Sequence, residues 1–136
     1  MSLLKNFLLF ILWFGVILYL SFTPLTNWPK ETFFEKLHFD KIVHITMYTV
    51  LCFLLLRSFF KQQNKQLPRY SVIIASVLFC VGVGTTIEFL QPALTLYRQF
   101  EVYDIIANSA GAILGYFVFS LLLKKKWLGM KTRTVN

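Results

Sequence analysis

A chain of 136 residues that is 57% hydrophobic and only 15% charged is too apolar for a soluble domain of its size and reads as a membrane protein. Its formal charge of +8 comes from 14 basic and 6 acidic residues. The basic runs flank apolar stretches, so they read as topological anchors that attract anionic lipid and not as a nucleic-acid surface; no Gly-x-Ser-x-Gly elbow, P-loop or dinucleotide fingerprint supports serine acyl transfer, ATP hydrolysis or nicotinamide chemistry.

Four stretches approach the roughly 20 residues that cross about 30 Å of hydrocarbon. They are residues 7–22, 42–60, 72–90 and 105–123. The expected fold is therefore all-α, a four-transmembrane-helix bundle over 1–136 as one domain, with a short interfacial segment between helices 1 and 2. The breaks between spans leave no room for a second domain, and no internal repeat occurs.

The first span carries Trp13, Phe14 and Tyr19 among aliphatic residues and no ionisable group. It is a packing helix, retained because Ser21-Phe22-Thr23-Pro24 offers no small-x-small cleavage pattern. The segment that follows, to Asp40, has Trp28, Phe33, Phe34 and Phe39, an aromatic density suited to the headgroup layer. It also holds Glu31, Glu35 and His38, with the two glutamates read as ordinary interfacial charge, as is Glu101 further on.

The second span opens with Asp40, Lys41, His44 and Tyr48, whose three- and four-residue spacings put them on one helical face. Cys52 lies near its middle, as Cys80 does in the third span; both read as small buried hydrophobes, with no disulfide and no zinc site expected. The third span carries Gly82, Gly84 and Thr85 before Glu88 and Gln91, small residues that let a neighbouring helix approach, and Pro92 marks Gln91 as a helix boundary. The fourth repeats the device, with Asp104, Asn108, Gly111 and Gly115 in one stripe; its small-xxx-small pair predicts a close helix contact, and Asp104 in a first turn complements the helix dipole.

Charged groups are expensive within a bilayer, so His44, Glu88, Asp104 and Lys41 at span ends that otherwise reject charge form a candidate site. For each alone, a helix–helix hydrogen bond or an ion pair with Arg98 or Lys41 is an adequate structural role. Together they admit proton transfer by an imidazole held between carboxylates, with Arg98 and Lys41 holding an anionic head group and Gln91 and Asn108 positioning polar groups. A histidine with Asp40, Glu88 or Asp104 offers donors for a divalent ion, yet no His-x-x-x-His or Cys-x-x-Cys spacing points to a required metal, and no cofactor is expected.

Asp40-Lys41-x-x-His44, Glu88-x-x-Gln91, Arg98 and Asp104-x-x-x-Asn108-x-x-Gly111, in this order, resemble the signature of VanZ-like membrane proteins. The resemblance spans about Asp40 to Gly115. It implies a bacterial cell-envelope protein of a family whose named member is associated with teicoplanin resistance. It also implies kinship with membrane enzymes acting on lipid head groups or lipid-linked cell-wall intermediates, here a lipid head-group phosphoester hydrolase or transferase with His44, Glu88 and Asp104 as the catalytic set and Asp40, Lys41, Gln91, Arg98 and Asn108 binding substrate. The competing expectation is a non-catalytic membrane factor that binds an envelope partner or the glycopeptide itself. A proton-coupled transporter fits least, because the spans offer few ionisable groups beyond one end.

Orientation follows from the basic residues flanking the spans. Lys5, the Arg57–Arg69 loop and the tail from Lys124 supply ten basic residues and no acid, whereas the other side has four basic residues against all six carboxylates. This predicts a multi-pass protein of the bacterial inner membrane with both termini cytoplasmic. A Lys65→Cys variant should then stay unmodified by a membrane-impermeant maleimide in intact cells and react only after permeabilisation; labelling before permeabilisation would invert the orientation.

Overall fold

A computed structural model describes residues 3–23, 39–96 and 98–124. Among these residues there are four α-helices and no strand: α1 (Leu3–Phe22), α2 (Phe39–Gln62), α3 (Tyr70–Leu94) and α4 (Val102–Lys124). All four are long and apolar enough to cross a membrane. The predicted interfacial segment lies outside the described residues.

Each helix continues past the apolar stretch read from the sequence, because polar residues at the ends find partners on neighbouring helices. Asn6, 4% exposed, donates from Nδ2 to Oε1 of Gln62 at 2.7 Å, which ties the start of α1 to the end of α2. Pro92 does not end α3 at Gln91. The helix runs on to Leu94, with Pro92 in its last turn, where the missing N–H forfeits one hydrogen bond. Beyond it, the Thr95 N–H and hydroxyl both donate to the Gln91 carbonyl, at 2.9 and 2.6 Å, and satisfy one of the orphan acceptors of the helix end.

The bundle is apolar outside and partly polar inside. Leu4, Leu8, Leu12, Ile74, Leu78 and Phe117 are exposed, while Asn6, Ser21, Ser58, Ser76, Glu88, Gln91, Asp104 and Asn108 are buried. In hydrocarbon no hydrophobic effect drives helices together, so packing and polar contacts must do so. Buried hydroxyls are satisfied locally: Ser58 donates to the Leu54 carbonyl and Ser76 to that of Val72, both at 2.7 Å. The apolar part of the interior centres on Ile17, Leu51, Leu56, Phe60, Cys52, Cys80 and Phe119. Both cysteines are free and buried, as expected.

The most extensive contact joins α2 and α4, which run in the same direction. Glycines make it possible. At Gly111 the Ile45 carbonyl occupies the place a Cβ would take, and at Gly115 the Thr49 carbonyl and the Cys52 side chain do so. The Thr49 hydroxyl lies between the two backbones, 2.7 Å from the Ile45 carbonyl and 3.1 Å from that of Gly111. Of the α3 glycines, Gly84 is needed for space, because a Cβ there would come within 2.9 Å of the Asn108 side chain and 3.0 Å of the Tyr48 ring, whereas Gly82 faces open space. The small residues of α3 therefore admit side chains and not a neighbouring backbone.

Gly111→Ala should accordingly overpack the α2–α4 seam and cost about 1–3 kcal/mol, read as a lower unfolding temperature in detergent micelles, while Gly82→Ala should stay at the wild-type value. Equal stability of the two variants would remove the close backbone approach as the basis of this seam.

Candidate functional site

The site occupies the bundle end at which α2 and α4 begin and α1 and α3 finish. Lys41, in the first turn of α2, is its electrostatic centre. Its Nζ pairs with Asp40 Oδ2 at 2.6 Å, with Glu101 Oε2 at 2.6 Å and, most closely, with Asp104 Oδ1. An ammonium has three protons, and three carboxylates take them. Asp104 is buried in the first turn of α4, whereas the side chains of Asp40 and Glu101 are half exposed. A buried carboxylate is tolerable only with such a counter-charge, while the two exposed pairs contribute less because solvent screens them.

One turn further along α2, His44 faces the next residue of the α4 stripe. Its Nδ1 lies 2.8 Å from Asn108 Oδ1, and its Nε2 lies 3.6 Å from Asp104 Oδ2. In this arrangement Nδ1 carries the proton and donates to the Asn108 carbonyl oxygen, which leaves the Nε2 lone pair facing the Asp104 side of the site. Asn108 is 2% exposed and held against α3 by the space Gly84 leaves. The tautomer of His44 is thus set by a second helix and a glycine on a third.

Glu88 and Gln91 fix the α3 side. Glu88 is 1% exposed; its Oε1 accepts the backbone N–H of Glu101 at 2.9 Å, while Oε2 is buried with no hydrogen-bond partner. An unpartnered buried carboxylate oxygen is costly, so Glu88 is not there for packing alone. Gln91 donates from Nε2 to the Ser21 carbonyl at 3.0 Å, closing one of the orphan acceptors at the end of α1.

Between these groups lies a cleft of about 310 Å³ lined by Asp40, Gln91, Arg98, Gln99, Glu101 and Asp104. Its size is that of a small-ligand pocket, but its walls are polar where such pockets are ordinarily apolar. Arg98 is half-buried in this wall and, unlike Lys41, has no ion pair among the described residues. At the same end the Phe89 and Phe100 rings meet tilted by 30°, with centroids 4.8 Å apart, and both are exposed, as is Tyr103.

A family model described as VanZ/LLP1 matches residues 1–123. The chain belongs to the VanZ/LLP1 family. No curated protein and no solved structure matches it. Within this VanZ/LLP1 protein the eight residues singled out in the sequence fall at one end of the bundle. Asp40, Gln91, Arg98 and Asp104 line the cleft, Lys41 and His44 are linked to it through Asp104, Asn108 supports His44, and Glu88 anchors the segment that carries Glu101. His38 lies outside the described residues.

Glu101 was read as ordinary interfacial charge, yet its carboxylate holds Lys41 and its N–H holds Glu88. A signal was available: it stands three residues before Asp104, whose N–H donates to the Glu101 carbonyl at 3.0 Å as α4 begins. Asp40, Glu101 and Asp104 each offer an oxygen within 4.8 Å of the others, close enough for one metal ion. Lys41 Nζ already bonds all three, so a divalent cation would compete with an ammonium for the same oxygens.

Removing that ammonium should therefore matter more than removing one carboxylate. Lys41→Met is expected to lower stability in micelles by on the order of 1–3 kcal/mol, and Glu101→Gln by under about 1 kcal/mol. The measurement is thermal unfolding; the reverse order would mean that Lys41 is not the charge on which the cluster depends.

Proposed function

We propose that this VanZ/LLP1 protein binds the phosphate-bearing head group of a membrane lipid or lipid-linked cell-wall intermediate. The observation that carries this reading is the polar cleft at one end of an apolar bundle, with Arg98 in its wall free of any ion pair among the described residues. A planar guanidinium without a carboxylate partner is suited to bidentate contact with phosphate. Lys41 has its three protons taken by the carboxylates and leaves phosphate to Arg98. The exposed Phe89, Phe100 and Tyr103 at the same level suit the boundary between acyl chains and head groups, where a lipid would lie. The charge asymmetry supports placing this end at the outer leaflet of a bacterial inner membrane, with both termini cytoplasmic.

The same arrangement supports phosphoester hydrolysis or exchange. His44 Nε2 takes the proton of a water or acceptor hydroxyl as that oxygen attacks phosphorus. The bond from phosphorus to the leaving alcohol breaks, and the imidazolium, stabilised by Asp104, returns the proton to the leaving oxygen. A second reading, a non-catalytic factor binding an envelope partner or a glycopeptide, is favoured by a specific observation: His44 reaches the cleft only past Asp104, and its contact with Asn108 also ties α2 to α4.

The two separate by variant. In detergent-solubilised protein, Arg98→Gln should weaken retention of labelled phospholipid by about tenfold, the value of one charge-assisted phosphate contact. His44→Ala should leave retention within about twofold and abolish release or exchange of head groups from labelled anionic and polyprenyl-phosphate lipids, a loss of at least about 100-fold. Equal turnover in wild type and His44→Ala would remove His44 from the chemistry, and unchanged retention in Arg98→Gln would overturn the phosphate site itself.

A further inference from the structure

A cleft that held a wholly anionic head group would be expected to carry an excess of positive charge, and this one carries the opposite. Its wall contributes the carboxylates of Asp40, Glu101 and Asp104 against the single guanidinium of Arg98. Lys41 adds one positive charge through Asp104, and buried Glu88 stands behind Glu101. With Lys41 and Arg98 both counted, the three wall carboxylates still leave a net −1, and ionised Glu88 would make it −2. The imbalance does not depend on the state of Glu88.

The carboxylates are also only half used. Lys41 engages Oδ2 of Asp40, Oε2 of Glu101 and Oδ1 of Asp104, one oxygen of each. The second oxygen of Glu101 makes no hydrogen bond or ion pair within the described residues, while the Asp40 carboxylate also accepts the backbone N–H of Lys41; both side chains are about half exposed in the cleft wall, at 52% and 51%. Lys41 itself shows what this geometry accepts, since one primary ammonium satisfies three carboxylates at hydrogen-bond distance. Arg98 lines the same cleft, and about 310 Å³ is room for a phosphate with a short amino-alkyl group beside it.

We infer that the ligand of this cleft carries a primary ammonium as well as a phosphate: a zwitterionic, amine-bearing head group, with its phosphate on Arg98 and its ammonium on Asp40 and Glu101. The inference rests on the phosphate site proposed above and adds a subsite to it. The ammonium donates to the open lone pairs of these half-exposed carboxylates, so the net negative charge that would repel an anionic lipid is what selects the zwitterion. No proton need leave the amine and no bond is made or broken; this is a binding subsite.

The experiment uses the full chain in nanodiscs with EDTA present, so that no divalent cation bridges carboxylate to phosphate. Binding is measured for labelled phosphatidylethanolamine and phosphatidylglycerol with identical acyl chains, for water-soluble O-phosphoethanolamine, and for a long-chain alkylammonium. The wild type should bind phosphatidylethanolamine at least about tenfold more tightly than phosphatidylglycerol, and O-phosphoethanolamine more weakly than the lipid. Glu101→Gln should reduce the preference to below about threefold while phosphatidylglycerol binding stays equal or improves, and Asp40→Asn should act in the same direction. Both variants retain two carboxylates on Lys41, so their folding is checked by a cooperative unfolding transition no more than slightly below that of the wild type, and the preference is a ratio that a general loss of folded protein does not move.

Phosphatidylglycerol binding equal to or tighter than phosphatidylethanolamine, with both lost in Arg98→Gln, would overturn the ammonium subsite and leave the phosphate site standing. Binding of the alkylammonium with neither phospholipid retained would overturn the phosphate site and keep the amine selectivity. Tighter binding of O-phosphoethanolamine than of the lipid would keep both charges and exclude a lipid as their source.

Discussion

The rest of the molecule depends on how closely α2 and α4 approach. Gly111 and Gly115 let the carbonyls of Ile45 and Thr49 come to where side chains would otherwise stand, and the Thr49 hydroxyl lies between the two backbones. Because the helices are parallel, their first turns meet at the same level. Lys41 then falls beside Asp104, and His44 beside Asn108, one turn on in each helix. In hydrocarbon such an approach is favoured by dispersion and by polar contacts across the seam, both of which need short distances. A wider seam would leave an ammonium, a carboxylate and an imidazole near the edge of the bilayer without partners, at a cost of several kcal/mol for a buried charge.

The polar end is thus two systems that share Asp104. One is structural and saturated: Lys41 with its three carboxylates, Gln91 on the Ser21 carbonyl, and Glu88 on the Glu101 N–H, which together fasten the ends of all four helices. The other is unsaturated: Arg98 without an ion pair among the described residues, Nε2 of His44 without a hydrogen bond there, the second oxygen of Glu101, and Oε2 of Glu88. Saturated groups hold a bundle together, and unsaturated ones are where a ligand gains something. The opposite end has its own polar clasp between Asn6 and Gln62, but its charges, Lys5, Arg57, Lys61, Lys65 and Arg69, are all basic and form no ion pair among the described residues.

Much of this was legible from periodicity. Helical spacing put Asp40, Lys41, His44 and Tyr48 on one face, Glu88 and Gln91 on another, and Asp104, Asn108, Gly111 and Gly115 on a third, because side chains three and four residues apart must share a side of a helix. What spacing cannot carry is which face meets which. The partners of Lys41 stand 60 and 63 residues away, so its conversion from a free phosphate ligand into a saturated counter-ion was invisible. Glu101 was undervalued for the same reason, since its role comes from two helices it does not belong to. Pro92 misled in the other direction: a rule about backbone hydrogen bonds marked Gln91 as the end of α3, and one lost bond in the last turn proved tolerable.

The sequence by itself determined that the chain is of membrane type, that four stretches of it are long and apolar enough to span, and that its acids gather beside two of the breaks between them, because hydropathy, length and charge asymmetry are sums over local residues and need no partner. Only the tertiary structure decided which of those charges are balanced and which remain open. Pairing depends on distances between residues of different helices, and a separation of one ångström decides whether an ammonium is a ligand-binding group or the counter-charge of three carboxylates.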